Sequence, residues 1–130
     1  MVFLDDAYQD LIDRDGAEIL FFFGDDSKNS HDVTAKHRQI RKAGIGERYL
    51  ICDGNRFCLG PLKEYRWVPA HYFQNYCTLV YGEKIAICAE DNTRAVIIKD
   101  EQAARTQTNL FNIFWEVLEQ PDRSTADERL

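Results

Sequence analysis

Few residues in this chain are of types that could do chemistry. They include three histidines, four cysteines and the adjacent acids Asp25 and Asp26. His37 stands in a basic run with Lys36, Arg38, Arg41 and Lys42 at helical spacing. Such a run makes either a solvated helix face or a local site for an acidic ligand or phosphate. Asp25 and Asp26 follow an apolar run that ends in Gly24. In open α/β sheets ligands bind at the carboxyl ends of strands, and paired acids there can hold Mg2+ with waters. A solvated loop with a helix cap is the simpler reading. His71 lies in an aromatic stretch with Tyr72 and Tyr76, where it either lines a pocket or packs in a loop. Lys84 and Lys99 flank strand-like runs and are expected to be exposed, with Glu83 or Glu90 as weak ion-pair partners worth under about 1 kcal/mol.

The cysteines carry no metal signature. Cys52, Cys58, Cys77 and Cys88 have no Cys-x-x-Cys spacing, and no histidine lies within three residues of any of them. They read as reduced thiols acting as small hydrophobes, so no metal or cofactor is expected. Gly44-x-Gly46 precedes a strand and lacks the full dinucleotide pattern. No Ser/His/Asp or Cys/His arrangement follows from spacing.

The elements that must position these residues alternate between helix and strand. With 130 residues, 45% of them hydrophobic and 29% charged, the chain predicts one globular domain over 1–120. Residues 121–130 are polar, follow Pro121 and predict a disordered tail. The net charge of −6 argues against direct nucleic-acid binding, which needs clustered Lys and Arg. No apolar run approaches the roughly 20 residues that span a bilayer, and the N-terminus has no basic leader. A cytoplasmic protein with no membrane contact is expected.

A first helix is predicted with Asp5 or Asp6 as N-cap and Gly16 as stop. Glu18 to Gly24 reads as a strand buried on both faces. Ser30 or Asn29 caps a second helix over Asp32 to Ala43, and Arg48 to Cys52 is the next strand, parallel to the first. Tyr65 to Val68 is a short strand stopped by Pro69. Thr78–Tyr81 and Lys84–Ala89 form a hairpin around Gly82-Glu83, and Asp91-Asn92 turns the chain into Arg94–Lys99. Asp100 caps a long helix from about Glu101 to Glu119. Its expected buried stripe is Ala103, Ala104, Gln107, Leu110, Phe111, Phe114, Trp115 and Leu118. The fold class is therefore α/β, with a mixed sheet flanked by helices.

The order of motifs carries a resemblance. His37-Arg38-x-x-Arg41-x-x-Gly44-Ile45 lies on a helix between two strands. It is followed by Glu64-Tyr65-Arg66-Trp67-Val68-Pro69, then Tyr81-Gly82-Glu83-Lys84, then Ala95 to Asp100, then Asn109 to Trp115. Over roughly Ala7 to Leu118 this resembles the C-terminal domain of TrmB-like transcription regulators. That domain is related to one half of the phospholipase D fold. The resemblance implies a phospholipase D-like half-sandwich with a long C-terminal helix. It also implies a ligand-binding and dimerising role in transcription regulation.

Two departures shape the expectation. Those regulators carry an N-terminal winged helix that reads DNA, and here the matching region begins almost at Met1. Phospholipase D enzymes need His-x-Lys-x4-Asp, whose His attacks phosphorus and whose Lys holds the phosphate charge. None of His31, His37 and His71 has Lys two residues on. The expected function is a non-catalytic sensor or regulatory interaction domain without its own DNA reader. Its expected partners are a small-molecule effector and a second copy or a DNA-binding protein. The residues assigned to ligand binding are His37, Arg41, Asp25, His71, Tyr81 and Lys84. The alternatives are a phosphodiesterase or nuclease using His37 with Lys36 and Arg41, and a purely structural partner-binding subunit.

Overall fold

The computed structural model describes residues 2–74, 76–89 and 94–126. It holds three helices, α1 (Val2–Leu11), α2 (His31–Lys42) and α3 (Glu101–Val117). The strands are β1 (Glu18–Phe22), β2 (Gly46–Cys52), β3 (Tyr65–Val68), β4 (Thr78–Tyr81), β5 (Lys84–Ala89) and β6 (Arg94–Lys99). They form one six-stranded sheet in the order β3-β2-β1-β4-β5-β6. β1, β2 and β3 are parallel, and β4, β5 and β6 continue the sheet antiparallel. The α/β class with a mixed, helix-flanked sheet is thus the observed one.

Alternation along the central strands sorts the core into two layers. Ile19 and Phe21 of β1 face α1 and α2, together with Tyr49, Ile51, Leu79 and Tyr81. Leu20 and Phe22 face α3, with Leu50, Val80, Ala104 and Phe111. β1 is buried on both faces because helices cover both. Among the described residues no helix is long and apolar enough to cross a membrane.

Three expectations change. α1 begins at Val2, so Asp5 and Asp6 lie inside the helix instead of capping it. Burial of Phe3, Leu4, Ala7 and Leu11 extends the helix, and the acids turn sideways to Lys36 (2.6 Å) and Lys84 (3.0 Å). In α3 only Ala104 and Phe111 are fully buried; Leu110 and Phe114 are 40% and 41% exposed. Phe111 takes the position that packs on the sheet, and its neighbours in the stripe turn partly to solvent.

The third change concerns the tail. Residues 121–126 are not loose. Pro121 is buried, the Thr125 N–H donates to Arg56 O at 2.7 Å, and Ser124 Oγ bonds both the N–H and the carbonyl of Cys58. β3 is an edge strand, and its Trp67 N–H donates to Glu119 O at 2.8 Å. An open sheet edge needs cover, and the segment after α3 supplies it. Residues 127–130 and the Asp91-Asn92 reversal lie outside the described residues.

One surface remains apolar. Ile87 of β5 pairs with Val96 of β6, and Ile85 pairs with Ile98, which places all four on the α3 face. Ile87, Val96 and Ile98 are exposed there, as are Leu110, Ile113, Phe114 and Val117 of α3.

Candidate functional site

The site begins where β1 ends. Phe23 has φ +63°, a left-handed conformation that bulky residues rarely adopt, costing about 1–3 kcal/mol. An edge contact with Phe73 (5.8 Å) and a bond from the Gly24 N–H to Leu50 O (3.0 Å) hold it. This bend leads Asp25 and Asp26 out of the sheet. Asp25 Oδ1 caps the next turn, accepting from the Ser27 N–H at 3.0 Å and its hydroxyl at 2.6 Å. Asp26 instead turns inward. Its Oδ2 accepts from the Tyr65 hydroxyl (2.6 Å) and the Leu59 N–H (2.9 Å).

Phe21, Tyr49 and Tyr65 occupy matched positions on β1, β2 and β3 and stack in a ladder, with centroid spacings of 4.4 and 4.9 Å. Glu47 lies two residues before Tyr49, so it points to the same face, where its side chain is fully buried. A buried carboxylate must be paired. Glu47 accepts from the Tyr49 hydroxyl (2.8 Å) and from His37 Nδ1 (2.6 Å), and the Arg41 guanidinium stands 3.0 Å away. His37 and Arg41 are one helical turn apart on α2, which brings both over Glu47. Val33 and Ile40, buried on the same helix, fix that face against the sheet. Arg41 also meets Glu64 at 2.8 Å, as a charge contact without hydrogen-bond alignment.

The electrostatics follow from burial. Burial pushes the Asp26 carboxyl above its ordinary range, with its bonds from Tyr65 and Leu59 opposing in part. Burial likewise raises Glu64, against the pull of Arg41. Burial works against the Arg41 charge, but the Glu47 and Glu64 carboxylates beside it hold its pKa above the ordinary value. Burial raises both tyrosine hydroxyls, so Tyr49 and Tyr65 act as donors.

Above this network lies an open cavity of about 210 Å3. Asn29, Thr34, His37, Arg38 and Arg41 line one wall, and the Leu59-Gly60-Pro61 loop lines the other, with Asp26 and Tyr49 between them. Gly60 packs closely on Arg41: a Cβ there would meet the guanidinium, which would have to shift.

Of the residues singled out from sequence, His37 and Arg41 meet here, and Asp25 lies next to the site as a cap while Asp26 enters it. They leave the exposed basic face on which the helix pattern had put them. Lys36 does not join them; it pairs with Asp5 and lies 5.5 Å over the Tyr8 ring. His71 lies tilted against Tyr72, ring centroids 4.0 Å apart, in an exposed 3-10 turn and does not line the cavity. Tyr81 and Lys84 form a separate group with α1. Both bond Asp6 Oδ2, at 2.9 and 3.0 Å. Lys84 is thus half-buried and paired with an α1 acid, not with Glu83. Glu47, Glu64, Tyr49, Tyr65 and Arg38 were missed as site residues. The alternation Glu47-x-Tyr49-x-Ile51 carried the signal, since it puts a carboxylate on an inward-facing row. Among the described residues no group of three or more His, Cys, Asp or Glu is placed to hold a metal ion.

No family model matches the chain, and no curated protein sequence matches it. Solved structures do. TrmBL2, an archaeal chromatin protein whose structure shows a novel mode of DNA binding, is similar over 91% of this chain, at 19% identity and a TM-score of 0.54. This chain spans 52% of that protein. Nuc, a phospholipase D family member from Salmonella typhimurium, is similar over 95% of this chain and 90% of its own, at 12% identity and a TM-score of 0.61. The fold is therefore phospholipase D-like.

Proposed function

We propose that this chain is a non-catalytic regulatory domain that binds a small-molecule effector in the α2 cavity and associates with a second copy of itself. The observation that carries this reading is the cavity, which opens on a charge network whose acids are already engaged. Such a network rigidifies a binding wall and leaves no reactive carboxylate in it. The His-x-Lys-x4-Asp pattern of phospholipase D enzymes is missing from the sequence, which supports a role other than theirs. The net charge of −6 supports reliance on a separate DNA-binding partner if the domain acts in transcription.

The apolar face of β5, β6 and α3 supports the association. Exposed apolar patches spanning several elements mark interaction sites. Sedimentation velocity tests this. A dimer is expected in the micromolar range, and the double variant Ile113→Asp, Val117→Asp is expected to be a folded monomer. A wild-type protein that stays monomeric throughout that range contradicts the association.

A second reading has one observation in its favour. Glu47 orients His37 as a carboxylate orients a general base, so the cavity has the makings of a phosphodiesterase site. Hydrolysis of bis(4-nitrophenyl) phosphate that disappears in His37→Ala would establish it; activity unchanged in that variant would remove it.

A further inference from the structure

We infer that the ligand of the α2 cavity is a small anion, a carboxylate or phosphate carried on a compact apolar body. This rests on the reading of the cavity as a binding site and specifies what it takes. The wall contributed by α2 and the turn before it presents polar groups that nothing in the protein uses. The side chains of Asn29, Thr34 and Arg38 line the cavity, and none makes a hydrogen bond or ion pair. Asn29 and Thr34 can each donate, and Arg38 adds an unneutralised positive charge with a forked donor suited to carboxylate or phosphate.

The acids nearby do not oppose an anion. Glu47 is buried and held by Tyr49, His37 and Arg41, and Glu64 faces Arg41. Asp26 is turned into the protein toward Tyr65 and Leu59. What remains open to the cavity is a surplus of donors. The rest of the lining is apolar, namely the Tyr49 ring, Leu59 and Pro61. Inorganic phosphate alone would leave that part unfilled. The volume of about 210 Å3 lies below the roughly 300–1,000 Å3 of sites for drug-sized ligands, so the apolar body must be compact.

The test compares three probes of similar shape: benzoate, phenyl phosphate and the neutral benzamide. Each is titrated into the isotope-labelled full chain and followed by amide shifts around the cavity. At least one anion is expected to bind about tenfold more tightly than benzamide, and the tighter of the two identifies the preferred group. Arg38→Ala is expected to weaken the anion at least about fivefold while leaving benzamide unchanged. Lys42→Ala removes the same charge from α2 at a position that does not line the cavity, and should change neither. Equal binding of benzamide and both anions overturns the inference, as does equal weakening by Arg38→Ala and Lys42→Ala. Leu59→Trp, which fills the cavity, separates the two levels. Charge-independent binding abolished by Leu59→Trp keeps the site and overturns its anion preference. Absence of any shift at the cavity with all three probes overturns both.

Discussion

The Tyr65 hydroxyl donates to Asp26 Oδ2 over 2.6 Å and so ties the edge strand β3 to the turn after β1. That bond partly offsets the burial of Asp26, whose pKa still lies above the ordinary 3.8. In the folded state the carboxyl therefore holds its proton to higher pH than in the unfolded chain. Its contribution to stability is full below the unfolded value and is lost as pH rises through the folded one. Urea unfolding of wild type and Asp26→Asn between about pH 4 and 7 checks this. The wild type should lose stability relative to the variant as pH rises. A difference that does not vary with pH, or one of opposite sign, contradicts it.

Glu47 joins α2 to the sheet. Removing its charge leaves Arg41 beside Glu64 alone and His37 with a neutral acceptor. Breaking one side of a buried pair costs about 3–5 kcal/mol. Arg41 is 27% exposed and regains some water, so Glu47→Gln should cost near the lower end, about 3 kcal/mol. Chemical denaturation measures it; a loss below about 1 kcal/mol would mean the network is not a structural element.

α3 is anchored by one aromatic and not by its whole stripe. Phe111 is fully buried, edge-on to Phe22 at 5.1 Å and stacked on Trp115 at 5.4 Å. Phe111→Ala should cost about 3–5 kcal/mol. Phe114→Ala, on the exposed flank, should cost under about 1 kcal/mol in the monomer and should weaken self-association. Thermal unfolding at low protein concentration separates the two effects.

Burial raises the Cys88 thiol to about 11 and the Cys58 thiol to about 12. The thiolate is the reactive form. Iodoacetamide at neutral pH should therefore modify both far more slowly in the folded protein than in urea, as peptide mass mapping can follow.

Much of the fold was legible from residue pattern. β1 announced burial on both faces, Ser30 and Asp100 are the caps that their types suggest, and Gly82 has the positive φ that a two-residue hairpin turn asks for. The start of α1 was not legible, because packing of Phe3 and Leu4 overrode the capping signal of Asp5 and Asp6. Nor was the tail, since its order comes from an edge strand far away in sequence. The site was half legible. A basic helix pointed to His37 and Arg41, but helical periodicity could not say that a carboxylate from β2 lay under them. Tyr49, Tyr65 and Glu64 depended on pairing between strands that spacing along the chain does not encode. Arg38 looked like any other surface cation until the cavity gave it a neighbourhood.

Ligand binding in the α2 cavity is tested most directly by screening mixed metabolites against the isotope-labelled chain and mapping the amide shifts. Binding there predicts saturable shifts grouped at residues 29–41 and at 59 and 60, abolished by Leu59→Trp. A screen that yields no saturable shift, or shifts grouped only elsewhere on the protein, contradicts it.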